Sequence, residues 1–150
     1  MKALGIDYGE ARIGLAVSDD LGMMAHPLET VVIAKVKSPE TRIAEVARER
    51  RIETIVIGFP VRMDGTEGAA VEKVRAFAER LKSRVDKRIE IVFVDERLST
   101  VEAQRVLHEA GRDERSSRAI IDQAAACIIL QDYLDQISPP PPLPPPTEEA

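Results

Sequence analysis

The sequence has little of several features that mark well-known classes of protein. Only 3% of its 150 residues are aromatic, and one residue, Cys127, is cysteine. A lone cysteine excludes an intrachain disulfide, and with only two histidines, far apart in the chain, no zinc-ligand spacing exists. Few aromatic rings are available to stack on single-stranded nucleic acid. The core must be built from aliphatic residues, and Cys127, in the stretch AAACIIL, is expected to be a small buried hydrophobic residue.

Long apolar runs are missing as well. No run approaches the roughly 20 residues that cross a bilayer, and the opening MKALGID lacks the apolar core and cleavage site of a signal peptide. These absences predict a soluble, cytoplasmic protein with no membrane partner. The net charge of −5 argues against blanket attraction to phosphate, although a local basic patch is compatible with it.

What the chain does contain is a series of strand-like stretches. Residues 2–7 and 12–18 flank a short glycine-containing turn and indicate a hairpin, and a third strand is predicted at 28–34. Residues 54–58 and 89–94 are continuous apolar runs. Runs of this length are typical of strands buried on both faces, as in parallel sheets.

Helix signals follow the third strand and alternate with the later ones. Ser38 and Pro39 are typical of an N-cap and the first helical position, which predicts a helix in SPETRIAEVARER. Further helices are predicted at 69–85, from the Ser99–Glu102 capping box to Gly111, and at 117–137.

The order β-β-β-α-β-α-β-α-α predicts one α/β domain over residues 1–137. We expect a mixed five-stranded sheet, with its first three strands antiparallel and helices on both faces. Residues 138–150 hold seven of the ten prolines and are predicted to be a disordered tail, because such a segment cannot form a helix or a central strand. Ligand sites of open α/β sheets lie beyond the carboxyl ends of the parallel strands.

Acidic residues stand where predicted strands end. Asp7 closes the first strand, and Asp95 and Glu96 follow the fifth. Neighbouring strand residues point to opposite faces, so only one of the latter two should share a crevice with Asp7. Gathered carboxylates repel one another, and Mg²⁺ or Mn²⁺ between them would offset that repulsion. Each acid taken alone has a simpler interpretation, as the polar end of a strand.

Asp122 is the most informative acid, because it lies within an otherwise apolar helix. Ala125 and Ala126, about one turn further on, would let this helix approach a sheet closely. A buried carboxylate needs a partner, a hydrogen-bond network or a metal. From the residues alone, a functional role and a plain surface position are equally supported for Asp122, whereas Asp132 and Asp135 are expected on the surface.

Arginines flank the candidate acids. Each has an ordinary interpretation as a solvated charge, but together they could form a cationic rim that grips phosphates. They are Arg12, Arg62, Arg97, Arg112, Arg115 and Arg118.

Four segments together resemble the YqgF family, also called RuvX, of Holliday-junction resolvases with an RNase H-like fold. They are GIDYGEARIGLAVSD, GFPVRMDGTEG, VDERLSTVEA and IDQAAACIILQDYLD, in order between about residues 4 and 135. Each alone would be a weak signal, but the four in this order are specific. The resemblance implies a three-layer RNase H-like fold and a metal-dependent nuclease, in a family also associated with processing the 5′ end of precursor 16S rRNA.

The resemblance implies the three catalytic acids, and a two-metal hypothesis built on them adds the roles of the other site residues. Asp7, Glu96 and Asp122 would be the catalytic acids and the ligands of two Mg²⁺ or Mn²⁺ ions, with Asp7 bridging them. Four arginines would position phosphates without reading bases: Arg12, Arg62, Arg97 and Arg118. The chain departs from the family pattern at Val61-Arg62 and in RSSRA before Ile121, which affects how the substrate is gripped rather than the acids.

Substrate and function class stay open between several alternatives. Precursor rRNA ranks ahead of four-way DNA junctions, because an acidic chain poor in aromatics suits guidance by ribosomal partners. Junction resolution would favour a symmetric dimer, and both a monomer and a homodimer are compatible with the sequence. The opening strand and turn also resemble the phosphate loop of actin-like ATPases, which pair two such domains. A third alternative is a catalytically silent, ribosome-associated binding module.

Overall fold

A computed structural model describes residues 2–59, 68–95 and 116–137. Five strands form one sheet in the order β3-β2-β1-β4-β5. Pairing is antiparallel for β1–β2 and β2–β3, and parallel for β1–β4 and β4–β5. The predicted mixed sheet with three antiparallel strands is therefore confirmed. The strands are β1 (Ala3–Tyr8), β2 (Arg12–Ser18), β3 (Ala25–Val32), β4 (Thr54–Phe59) and β5 (Glu90–Asp95).

Helices cover both faces of this sheet, as the sequence predicted. Helices α1 (Pro39–Glu49) and α2 (Ala69–Lys82) pack on one face, and α3 (Ser116–Ile137) packs on the other. The α1–α2 face is the larger apolar cluster and includes Leu4, Ile6, Ile13, Leu15, Ile43, Phe77 and Leu81. The α3 face is built from smaller residues of the sheet, among them Ala3, Ala16 and Val56, under Ala126, Ile129, Leu130 and Leu134.

Strand alternation decides which face each residue of β1 occupies. Leu4 and Ile6 belong to the cluster under α1 and α2, whereas Ala3 belongs to the cluster under α3. Since successive side chains alternate, Gly5 and Asp7 share the α3 face with Ala3. Asp7 is the one charged side chain in β1, and it lies next to the carboxyl end of this strand.

Helix α1 begins as its sequence indicated. The hydroxyl oxygen of Ser38 accepts a hydrogen bond from the Thr41 backbone N–H at 3.2 Å, and Pro39 is the first helical residue. The N-cap satisfies a backbone donor that has no partner within the helix.

Strand β3 was predicted at 28–34, which is wrong by about three residues. The strand runs from Ala25 to Val32, and residues 33–35 form a short 3₁₀ turn. Pro27 lies inside it, opposite Ala16, where the register shifts. Proline lacks a backbone N–H and is tolerated here because β3 is an edge strand.

Of several smaller predictions, some agree with the structure, some differ from it, and some concern residues outside the described ranges. Cys127 is only partly buried against the α3-face cluster, and its burial raises the pKa of its thiol to about 11. Asp132 was expected on the surface but is partly buried, whereas Asp135 is exposed. Within the described ranges, none of the helices has the length and apolar character to cross a bilayer. The helix predicted after Ser99 and the tail at 138–150 lie outside the described residues.

Candidate active site

The candidate site lies at one edge of the sheet. Strands β1, β4 and β5 run parallel to one another, so their carboxyl ends meet at the same edge. This is where ligand sites of open α/β sheets occur. Asp7 occupies this edge on the α3 face.

The close approach of α3 to β2 brings Asp122 to the same place. Gly14 of β2 is the register partner of Asp7 on β1. A Cβ atom at Gly14 would lie only 1.9 Å from the backbone oxygen of Asp122 and 3.0 Å from its Cβ atom. The α3 backbone therefore rests directly on β2 beside Asp7, a contact that only glycine permits here.

A second glycine makes a similar contact further along α3. A Cβ atom at Gly5 would lie 2.8 Å from the Ala126 backbone oxygen and 2.7 Å from the Leu130 Cβ atom. The alanines of α3 indicated a close approach, but the strand glycines that receive it were not predicted. The signal was present, because glycine inside a strand often marks a close backbone approach.

The carboxyl group of Asp7 has an altered pKa. Burial raises it most, and the nearby charge of Asp122 raises it further, to about 6 from an ordinary 3.8. Both causes disfavour a negative charge on Asp7 next to that of Asp122. A cation at this position would remove that penalty.

Arg12 supplies the cation that contacts Asp122 in this structure. Its Nε donates a hydrogen bond to Asp122 Oδ2 at 2.8 Å, joining the start of β2 to α3. The two side chains are 34% and 17% exposed, respectively. The contact is thus a partly buried ion pair at the mouth of the site, between residues 110 positions apart in the chain.

The turn after β1 is held on the other face by α2. The ring of Tyr8 stacks on Phe77 with centroids 4.5 Å apart, and Lys73 donates to Glu10 in an exposed ion pair. A Cβ atom at Gly9 would lie 2.6 Å from the Arg12 backbone oxygen, so the turn itself is tight. These contacts fix the strand end that carries Asp7.

The structure brings together three of the predicted site residues: Asp7, Asp122 and Arg12. Arg118 lies in the first part of α3, but its side chain is outside the described set, as are Arg62, Glu96 and Arg97. Asp95 ends β5 on the same face as Phe93, which contacts Phe59 on the α1–α2 side. By alternation, Asp95 faces away from Asp7.

The described carboxylates are of the type that binds a hard divalent cation, but there are too few of them to complete a metal site. Within residues 2–59, 68–95 and 116–137, no group of three His, Cys, Asp or Glu side chains could hold a metal ion. Asp7 and Asp122 provide carboxylate oxygens, which Mg²⁺ and Mn²⁺ prefer. A complete site needs a third ligand from outside these residues, or water.

A separate cleft in the described part of the structure lies elsewhere. It has a volume of about 990 Å³ and is lined partly by Ile52, Glu53 and Ile89, which precede β4 and β5. It therefore lies at the amino ends of these strands, opposite Asp7. Size alone does not locate the chemistry of this protein.

Comparison with known proteins agrees with this geometry. A family model described as "RuvX: Holliday junction resolvase" matches residues 1–136. A protein of Acetivibrio thermocellus named "Putative pre-16S rRNA nuclease" is 46% identical over 136 residues, covering 90% of this chain and 96% of that protein. One of the same name from Syntrophus aciditrophicus is 45% identical over 138 residues, covering 92% and 91%.

Solved structures show the same fold at low sequence identity. RuvC of Thermus thermophilus has a TM-score of 0.53 at 17% identity, covering 91% of this chain and 96% of that one. The Fowlpox virus resolvase, solved with Holliday junction DNA, has a TM-score of 0.54 at 11% identity, covering 92% and 99%. The predicted RNase H-like fold is thereby confirmed.

Proposed function

Because this chain belongs to the RuvX family, we propose that it is a metal-dependent endonuclease that acts in 5′-end processing of precursor 16S rRNA. The observation that carries the proposal is the juxtaposition of Asp7 and Asp122 at the carboxyl ends of parallel strands. These two acids are 115 positions apart, and a strand glycine is required for them to meet. Such an arrangement of like charges costs stability, which favours a functional explanation over a structural one.

In the proposed site, Asp7, Asp122 and Glu96 would hold the divalent ions. Asp95 faces the opposite side of the sheet, which supports Glu96 as the third acid. Mg²⁺ or Mn²⁺ at these carboxylates would lower the pKa of a bound water and stabilise charge on the phosphate.

The protein's own contribution is binding and orientation. Asp7 and Asp122 lie on rigid elements, a central strand and a helix packed directly on the sheet. Arg12 lies at the mouth of the site, where its guanidinium can contact a phosphate. Arg62, Arg97 and Arg118 are proposed to extend this grip along the backbone, contributing affinity rather than base recognition.

We propose precursor 16S rRNA as the substrate ahead of other nucleic acids, because relatives above 40% identity are named pre-16S rRNA nucleases. The alternative is a four-way DNA junction, favoured by the family description and by the fold shared with the two resolvases. Sequence identity to those resolvases is below 20%, so the similarity supports a shared fold and not a shared substrate. We therefore place precursor rRNA ahead of branched DNA as the substrate. Ribosomal proteins are proposed as partners that guide the acidic chain to its substrate.

A direct cleavage assay tests this function. The purified protein should be incubated with Mn²⁺ and, in parallel, with a precursor 16S rRNA fragment and a four-way DNA junction. We expect cleavage of the RNA, and loss of at least about a hundredfold in rate for Asp7→Asn, which keeps the size of the side chain but removes a charged ligand. Asp20→Asn, at an exposed aspartate of the β2–β3 connection, is the matched control.

Each other outcome identifies a different function. Cleavage of the junction alone would replace rRNA by branched DNA as substrate. Full activity of Asp7→Asn would contradict the metal-site assignment. Retained biological function after combined neutral substitution of Asp7, Glu96 and Asp122 would instead support a silent binding module, and stoichiometric ATP binding would support the ATPase alternative.

A further inference from the structure

The ion pair between Arg12 and Asp122 raises a question that the catalytic assignment leaves unanswered. Asp122 is proposed as a metal ligand, yet one of its oxygens accepts a hydrogen bond from a guanidinium 2.8 Å away. Arg12 is proposed to contact phosphate, yet its side chain has Asp122 as its one hydrogen-bond partner among the residues that the structure describes. Each group is engaged with the other rather than with the partner that catalysis requires.

A divalent ion and the guanidinium would compete for this carboxylate. An ion held by Asp122 would bind the carboxylate that Arg12 contacts in this structure, in a partly buried environment where water screens poorly. Repulsion between the two cations would then oppose their simultaneous binding to Asp122. The guanidinium is also a weaker partner for this carboxylate than a divalent ion is, because it binds the carboxylate by hydrogen bonds rather than by coordination.

The position of Arg12 would allow its guanidinium to contact a phosphate after leaving Asp122. It is the first residue of β2, and its side chain is 34% exposed at the edge of the sheet. Its hydrogen bond to Asp122 is made by Nε and does not use the two Nη groups. Planar guanidinium groups of this kind bind phosphate with two parallel hydrogen bonds.

We propose that Arg12 is a positioning residue that holds Asp122 in the metal-free protein and exchanges it for a substrate phosphate when the divalent ion binds. This inference rests on the proposed function and assigns an order to the assembly of its site. In the metal-free protein Arg12 neutralises Asp122 and contributes little to nucleic-acid binding. With metal bound, the same guanidinium is released at the mouth of the site, where it contacts the phosphate.

The first experiment measures Mn²⁺ affinity without nucleic acid, by titration calorimetry on the full chain. We expect Arg12→Gln to bind Mn²⁺ at least about fivefold more tightly than wild type, because a competing cation is gone. Arg42→Gln is a matched control, since Arg42 Nε donates to Glu29 Oε2 at a similar distance of 2.9 Å, in an ion pair between α1 and β3 away from the site. Unchanged or weaker affinity in Arg12→Gln would overturn the proposal.

The second experiment measures binding of the labelled precursor rRNA fragment, in EDTA and in Ca²⁺, with the RNA checked for integrity afterwards. Arg12→Gln should weaken binding at least about fivefold in Ca²⁺ and less than about twofold in EDTA. In an Asp122→Asn background, where Arg12 is already free, the substitution should weaken binding in EDTA as well. Equal losses in all three conditions would show that Arg12 is a constant phosphate contact and would refute the exchange.

Two further measurements separate a failure of this inference from other failures. If wild type binds no Mn²⁺, the metal-dependent nuclease assignment fails and the exchange fails with it. If wild type binds Mn²⁺ and Arg12→Gln does not bind it more tightly, the exchange alone is refuted. Should Arg12→Gln fail to fold, Arg12→Lys serves instead, with weaker RNA binding in Ca²⁺ expected because an ammonium cannot make the paired hydrogen bonds.

Discussion

Asp7 shows at the scale of one residue how a site can oppose folding. Its carboxyl group is largely buried, and it lies close to the charge of Asp122. The unfolded chain ionises this group near pH 3.8, whereas the folded protein holds the proton up to about pH 6. The folded state therefore becomes less stable as pH rises through this window, because ionising Asp7 costs more in the folded than in the unfolded chain.

This linkage predicts that Asp7→Asn stabilises the metal-free protein at neutral pH. At pH 4 the two proteins should differ little from this cause, because Asp7 is protonated in the folded state. The advantage of Asp7→Asn should grow between pH 4 and 7, to about 3 kcal/mol at most. Urea unfolding in EDTA across this range measures it.

The control for this experiment is Asp20→Asn, whose carboxylate is 91% exposed. Its stability should follow the wild-type pH dependence. A stability difference between Asp7→Asn and wild type that stays constant from pH 4 to 7 would contradict the raised pKa of Asp7.

At the scale of secondary-structure elements, the packing of α3 on β1 and β2 determines the site. Gly14 and Gly5 have no side chain, so the helix backbone contacts the strands directly at these two positions. Helix α3 therefore lies closer to the sheet here than ordinary side chains allow. The apolar face of α3 then continues through Ala126, Ile129, Leu130 and Leu134. Asp122 is thus placed by the same contact that buries the helix.

Gly14→Ala should therefore disrupt both stability and the site. The nearest obstacle is a backbone oxygen, which cannot rotate away, so we expect a loss of about 3 kcal/mol or more in unfolding free energy. Displacement of Asp122 should also weaken Mn²⁺ binding. Chemical denaturation and calorimetry check the two effects.

Glu90→Ala, at an exposed position of β5, is the control for an alanine placed in a strand. It should change the unfolding free energy by less than about 1 kcal/mol. A Gly14→Ala variant as stable as Glu90→Ala would show that α3 does not rest on β2 as described.

At the scale of the whole molecule, the described core ends before the proline-rich segment begins. Leu134 is the last buried residue of α3, and residues 135–137 are exposed. Among the described residues, the apolar clusters on both faces extend from Ala3 to Leu134. We expect the domain predicted at 1–137 to contain what folding requires.

Removal of residues 138–150 tests this division. We expect the truncated chain to keep its unfolding free energy within about 0.5 kcal/mol of the full chain, because no described core residue is lost. The Mn²⁺ affinity should also be unchanged. A loss of more than about 1 kcal/mol would show that the tail packs on the domain.

For the residues that the structure describes, the sequence alone determined the element order and the sheet class, and it also determined the family, because these depend on periodicity, caps and motifs that are local in the chain. Apolar runs marked β4 and β5, and Ser38 and Pro39 marked the start of α1. The edge strand β3 was misplaced, because its tolerance of Pro27 depends on having an unpaired side in the sheet. The sequence identified candidate acids and arginines, but it did not predict which of them contact one another.

Only the tertiary structure decided which of these charges meet. Asp7 and Asp122 converge because a helix backbone fits against Gly14, and Asp95 is turned away by strand alternation. The expected contact of Arg12 with phosphate stays a prediction, and the structure adds an ion pair between Arg12 and Asp122 that the sequence did not reveal. Distances between residues 110 positions apart depend on packing, and packing is a property of the folded chain that no local pattern contains.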